Sequence, residues 1–177
     1  GPGGRVACAG AGIANHAEFI AVPRNLVVPV PGQLPFPEAS TVALGAIALQ
    51  AVRRADPKLA ESAAVVGLGM IGQIVIQLLK ANGCRVIGTD TDPSRVATAV
   101  SLGMDQGIAP SAGTVEAVRR FSDDRGVDAV IVTASTESSD PLNEAMKMCR
   151  TKGRVVIVGA VGMNLKRDEF YRRELDL

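Results

Sequence analysis

The sequence predicts a doubly wound α/β fold, a parallel sheet covered by helices on both faces, and three observations carry that prediction. From Ala63 onward, apolar runs rich in Val and Ile alternate with segments of helical periodicity. Those runs, "AAVV", "CRVIGT", "VDAVIVTAS" and "GRVVIVGAV", lack the polar alternation of a half-exposed strand, so both faces of the sheet should be buried. Third, the first run passes through Gly67, Gly69 and Gly72 directly into an amphipathic segment, with almost no loop between strand and helix.

Taken in order, the elements are these. After Gly72, Ile74, Val75, Leu78 and Leu79 recur at helical spacing, and "ANG" at residues 81–83 is the stop signal. "CRVIGTD" is a strand that ends in Asp90. "DPSRVATAVSLG" opens with Asp92 as N-cap and Pro93 at the first helical position, and closes on Gly103. "DQGIA", Asp105 to Ala109, reads as a short third strand. A helix follows from about Thr114 to Ser122, then the strand "VDAVIVTAS", a helix from about Pro141 to Arg150 and the last strand, "GRVVIVGAV". Numbered from the glycine turn, the expected strand order is 3-2-1-4-5, with that turn at the switch point. The N-terminal third differs: "GGRVACAGAG", "ANHAEFIAVP" and "RNLVVPVP" read as short β segments divided by Gly and Pro. A helix in "PFPEASTVALGAIALQAVRRA", starting near Pro37, comes after them.

Composition narrows the function. The chain has 177 residues, 47% of them hydrophobic, and a formal net charge of +1, enough for one domain or one and a fraction. No block of like charges appears and aromatic residues are only 3%, which argues against a nucleic-acid groove. The run from Ser62 to Leu79 reaches the lower limit of a membrane span. It is interrupted by Gly-Leu-Gly, carries Gln73 and Gln77 one turn apart and has no aromatic belt, so no membrane association is expected. Cys8, Cys84 and Cys149 form no C-x-x-C pair, which suits reduced thiols in a cytoplasmic protein, each a small buried apolar residue.

In strand-turn-helix context the glycines form a dinucleotide fingerprint. Gly67 permits the tight turn, Gly69 lets the backbone of Leu68, Met70 and Ile71 approach a pyrophosphate, and Gly72 allows close helix packing. Asp90 follows at the roughly 20-residue spacing where a carboxylate meets the adenosine ribose, with Thr91 beside it. Arg95, one turn into the next helix, can reach the adenosine side. At the later strand ends Thr133, Ala134, Val158, Gly159 and Ala160 would border the nicotinamide half. The alternatives are a close-packed turn without a ligand, a solvated Asp90 and an exposed helical Arg95. A methyltransferase turn usually lacks the third glycine.

"VVGLGMIGQ", "VIGTDTDPSRV" and "GRVVIVGAVG" follow a strand at Gly4 to Val6, the His16 to Phe19 element and a helix ending near Arg54. In this order they closely resemble the medium-chain dehydrogenase/reductase family, the zinc-type alcohol dehydrogenases and their zinc-free relatives. The resemblance implies a C-terminal remnant of a GroES-like catalytic domain over residues 1–35. Residues 36–177 would be a Rossmann NAD-binding domain that includes the interdomain helix. It also implies hydride exchange between a nicotinamide cofactor and a small-molecule alcohol, carbonyl or activated alkene. "LGAIALQAVRRADP" and "VGAVGMNLKRDEFYRRELDL" look most like the dehydrogenase half of two-part bacterial oxidoreductases of sugar or cell-surface polysaccharide metabolism.

Departures from the family matter as much. The resemblance makes this chain a fragment without the proton-relay residues, inactive alone, whose sixth strand would begin at "RRELDL". Strand five would then be an edge open to homodimerisation unless Glu174 to Leu177 pairs with it. Val42 to Gly45, where zinc-dependent members carry a Cys ligand, has none. His16, the one histidine, lies beside Glu18 with no second His or Cys nearby, so no zinc is expected in this chain. Asp90 favours NAD over NADP. The rival readings are an NADPH-dependent zinc-free enoyl or quinone reductase, which a basic residue at position 90 would favour, and a non-catalytic nucleotide-sensing or structural module.

Overall fold

The computed structural model describes residues 3–108 and 113–177. The chain forms two compact units that divide between Ala46 and Ile47. In the first, β1 (Val6–Cys8) and β2 (Val27–Pro29) pair antiparallel with Ala7 opposite Val28. The β segment expected over Ala14 to Pro23 is absent. That stretch runs through turns and bends with His16, Glu18 and Phe19 exposed, Phe19 at 91%. Apolar residues hold a strand only when a neighbour takes their backbone groups, and no ladder pair among the described residues includes this stretch.

The single helix expected from Pro37 is two, α1 (Phe36–Ala39) and α2 (Val42–Ala55). Between them the Ser40 hydroxyl donates to the Pro37 carbonyl at 2.7 Å and the Thr41 hydroxyl to the Glu38 carbonyl at 2.8 Å. Side-chain donors thus take up carbonyls that a continuous helix would use. Buried Ala48, Ala51, Val52 and Ala55 of α2 all join the core of the second unit. The division between the compact units therefore falls inside α2.

The second unit is built on five parallel strands, β3 (Ser62–Val66), β4 (Arg85–Thr89), β5 (Gln106–Ile108), β6 (Val127–Val132) and β7 (Cys149–Ile157). Their spatial order is β5-β4-β3-β6-β7, the expected 3-2-1-4-5 counted from the glycine turn. The Ala109 end of the third strand lies outside the described residues. Helices α3 (Met70–Ala81), α4 (Pro93–Ser101), α5 (Thr114–Phe121), α6 (Asp140–Met148) and α7 (Arg167–Arg172) follow the strands.

The uninterrupted Val and Ile runs have a direct cause. Side chains alternate across a strand, so Val65, Val86 and Ile131 enter one core with Val75 and Leu79 of α3 and Ala99 of α4. Their neighbours Val66, Ile87 and Val130 enter a second core with Val118 and Phe121 of α5 and Leu142 and Met146 of α6. Each such side chain contributes about 1.5–3 kcal/mol on full burial, which is why neither face tolerates a polar alternation. Among the described residues no helix is long and apolar enough to cross a membrane.

The last strand departs from expectation at both ends. It starts at Cys149, ahead of Gly153, so α6 stops at Met148 and not at Arg150. Cys149 pairs with Val127 and Arg154 with Ala129, and the surplus residues between them are taken up by an irregularity in which Lys152 adopts a φ of 59°. At the outer edge Val155 N–H donates to the Asp176 carbonyl at 2.8 Å and Asp176 N–H to the Gly153 carbonyl at 3.1 Å. Arg154 and Asp176 form a parallel bridge, so the Glu174 to Leu177 tail does pair with strand five. At the amino end of the sheet, Asp128 Oδ2 accepts from Ser62 N–H at 2.8 Å and its hydroxyl at 3.0 Å, while Oδ1 accepts from Arg150 Nε at 2.7 Å.

Candidate functional site

Three glycines at the carboxyl end of β3 do three different things. Gly67 has a φ of 95°, and a Cβ there would lie 2.6 Å from the Ala134 nitrogen, so both conformation and space demand glycine. A Cβ on Gly72 would collide with the Gly67 carbonyl oxygen, so this glycine brings α3 tight against the turn. A Cβ on Gly69 would meet nothing within 4 Å. Neither packing nor its φ of −66° requires glycine at this position, and the backbone there faces open space. Gly69 is the N-cap of α3 and offers no side-chain cap, which leaves first-turn N–H groups for an outside acceptor.

Neighbouring strand ends hold the turn in place. Gly67 N–H donates to the Thr89 carbonyl at 2.8 Å, Thr133 and Ala134 N–H both donate to the Val66 carbonyl, and the Thr133 hydroxyl donates to the Gly67 carbonyl. Asp90, 6% exposed, accepts from Leu68 N–H at 2.6 Å through Oδ2 and from Asp92 N–H at 2.8 Å through Oδ1. It therefore clips the glycine turn to the end of β4, a structural duty the spacing did not foretell. An ionised carboxylate has about four acceptor sites, so capacity remains for hydroxyls. Arg95 stands 3.7 Å from Asp90 and 3.6 Å from Asp92, its side chain half exposed. Gln73 Nε2 ties the Leu68 and Arg95 carbonyls together, each at 2.9 Å. Asp92 caps α4 as expected, accepting from Ser94 N–H at 2.9 Å and its hydroxyl at 2.7 Å. The Ser94 hydroxyl is the main reason its carboxyl sits below the ordinary value.

A cavity of about 560 Å³ lies over these strand ends. Of the residues the sequence singles out, Gly67, Gly69, Asp90, Thr91, Arg95, Thr133 and Ala134 line it. Leu68 points into the core and is fully buried, Ile71 packs against that core, Met70 is 61% exposed and Gly72 is enclosed in α3. Val158, Gly159 and Ala160 lie past the end of β7, beside the loop after β6. Val158 and Gly159 N–H donate to the Val132 carbonyl, and the Ala160 carbonyl accepts from Thr136 N–H at 2.8 Å. They do not line this cavity. Its far wall, which sequence reasoning missed, comes from Thr114, Ser135, Thr136, Ser138, Asp140 and Glu144. The polar cluster "STESSDP" after a buried strand was a usable signal, since it opens α6 at a carboxyl strand end. Thr114 gave no such signal.

Metal ligation finds little support in the donors present. Cys84 and Cys149 are buried in the sheet, and burial raises both thiols, that of Cys149 to about 12. Cys8 is half-buried in β1 and His16 is exposed. Among the described residues no three His, Cys, Asp or Glu side chains converge, so the donor set does not fit a zinc site.

A parallel sheet with a glycine turn and an uncapped helix at its switch point defines a Rossmann-type α/β domain. The chain matches the family model described as zinc-binding dehydrogenase over residues 70–176 and belongs to that family. It is 26% identical over 149 residues to the sorbitol dehydrogenase of Bacillus subtilis strain 168, covering 83% of this chain and 42% of that protein. The crystal structure of 2R,3R-butanediol dehydrogenase from Bacillus subtilis superposes with a TM-score of 0.78 at 27% identity, over 89% of this chain and 46% of that one. The alcohol dehydrogenase of Aeropyrum pernix shares the fold, with a TM-score of 0.79 at 24% identity over 90% of this chain and 48% of that one. The chain spans less than half the length of these relatives.

Proposed function

We propose that this chain is the NAD-binding part of a dehydrogenase that moves hydride between the cofactor and a small alcohol or carbonyl, with a polyol or sugar as the substrate class. The observation that carries the reading is the open Gly69 backbone before an uncapped α3, with Asp90 at the next strand end. Similarity to a sorbitol dehydrogenase supports the substrate class. A bound nicotinamide would supply the hydride acceptor or donor; this chain's residues would bind and orient it. First-turn N–H groups of α3 take the pyrophosphate. Asp90 and Thr91 take the adenosine ribose, Arg95 flanks it, and Thr133, Ala134 and the Val158 to Ala160 segment border the nicotinamide half. Residues 1–35 are read as the remnant of a GroES-like catalytic domain.

Preference for NAD over NADP follows from Asp90. Hydrogen bonds from ribose hydroxyls to a carboxylate contribute roughly 1.5–3 kcal/mol each at best. With a 2′-phosphate the carboxylate loses a donor and faces a dianion, at a cost of about 4 kcal/mol per unit charge at 4 Å and an effective dielectric near 20. Arg95, 3.7 Å away, offsets part of that repulsion, so the expected preference is roughly tenfold to a thousandfold. Titration calorimetry with both cofactors tests it. Equal affinities, or an Asp90→Ser variant with an unchanged ratio, would remove Asp90 from the site.

A further inference from the structure

We propose that the Thr89 hydroxyl is a hydrogen-bonding partner for the purine base of the bound dinucleotide, an inference that rests on the dinucleotide reading above. Thr89 is the last residue of β4, 6% exposed, and borders the cavity. Its Oγ1 is closed off from the surface and has no hydrogen-bond partner. Three other buried polar residues of the second unit have hydrogen-bond partners. Ser122 donates to the Val118 carbonyl, and Asn143 bonds Ser139, Asn164 and Lys166. Asp90 has its backbone donors. Two further orphaned atoms, Arg5 Nε and Gln73 Oε1, belong to residues that do not line this cavity.

Folding alone gives no reason for a threonine here. Valine has the same shape, suits a strand as well and leaves no unpaired hydroxyl in a core position. An orphan of this kind in a native structure calls for a role, and its location supplies one. The next residue is Asp90, the proposed ribose ligand, and the base is joined to that same ribose by one bond. By strand alternation Thr89 lies on the face of Ile87, the side on which Val66, Thr114 and Glu144 extend the cavity toward α5 and α6. Rotation about the Cα–Cβ bond moves the hydroxyl between staggered positions and can turn it toward the cavity. A purine offers ring-nitrogen acceptors and an exocyclic amino donor, and a hydroxyl serves either.

The test compares the unmodified chain with Thr89→Val and Thr89→Ser, using ADP-ribose and NAD as probes in calorimetry and thermal melting without ligand. The expected result is that Thr89→Val melts no lower than the unmodified chain yet binds both probes about three- to tenfold more weakly, the range of one hydrogen bond. Thr89→Ser should stay within about twofold. A Thr89→Val variant that binds within twofold of the unmodified chain overturns the role of Thr89 and leaves the dinucleotide reading standing. An unmodified chain that binds neither probe overturns both. Should Thr89→Val not fold, the Thr89 methyl resonance of the unmodified chain reads the same event: it shifts on adding ADP-ribose if the side chain engages the base, and an unmoved resonance refutes the engagement.

Discussion

Two aspartates hold the two ends of the sheet, and they are partnered in opposite ways. Asp128, at the amino end, accepts from Ser62 N–H and hydroxyl and from Arg150 Nε at 2.7 Å. Burial alone would raise its carboxyl, but the hydrogen bonds from Arg150 and Ser62 outweigh burial and hold it below the ordinary carboxylate value. Asp90, at the carboxyl end, also accepts backbone N–H groups, yet its cation, Arg95, stands off at 3.7 Å with its side chain 54% exposed beside a cavity. One end is completed by a short ion pair within the protein. The other keeps its cation loose and its acceptor capacity in reserve, which is what a ligand site at the carboxyl end of a parallel sheet requires.

The largest effect expected comes from damaging the open end. Gly67→Ala forces a side chain into left-handed backbone and against the Ala134 backbone at 2.6 Å, and should cost about 3 kcal/mol or more and abolish cofactor binding. Urea unfolding and calorimetry check this, and a variant of unchanged stability would mean the turn is not built as described. At the closed end, Asp128→Asn should lower stability by about 1–2 kcal/mol, the Arg150 pair being partly screened by solvent, while cofactor affinity stays unchanged. A loss of affinity there would break the contrast between the ends.

Acid titration sharpens the same contrast. Below a pH of about 4 the unfolded Asp128 takes up its proton while the folded one still holds its charge. Its contribution is therefore present above that pH and is lost as the pH falls through the lowered folded value. The Asp128→Asn variant should show a shallower acid limb in a stability–pH curve. The smallest effect belongs to Asp92→Ala, which removes an exposed helix cap. A slight fall in melting temperature is expected, with α4 still helical by circular dichroism.

How much of this was legible depended on whether the signal was local. The sheet order could be read because buried strands are written as Val and Ile runs and because Gly67 and Gly72 sit where only glycine fits. The start of β7 could not, since Cys149 to Lys152 resemble a helix end until Val127 is available as a partner. The break before α2 depends on Ser40 and Thr41 hydroxyls turning back on their own carbonyls, a choice composition does not reveal. At the site, the glycines and Asp90 were legible from spacing. The approach of Thr114 on α5 to Glu144 on α6 was not, because only folding brings these two elements to one cavity. The second duty of Asp90, bonding Leu68 N–H, was hidden for the same reason.

Arg154 has a consequence in time. Its guanidinium donates to the carbonyls of Arg54 and Ala55, at the last turn of α2, and lies 3.4 Å from Asp176 in the tail. Two terminal carbonyls of an early helix thus obtain these hydrogen bonds from a residue about a hundred positions later. On a ribosome adding roughly 5–20 residues per second, that turn of α2 would remain without this cap for several seconds after its synthesis. Closing so long a loop leads us to expect that α2, β7 and the tail dock late in folding. Pulsed hydrogen exchange should therefore find the N–H groups of Val155 and Asp176, which bond across that junction, among the last in the unit to gain protection.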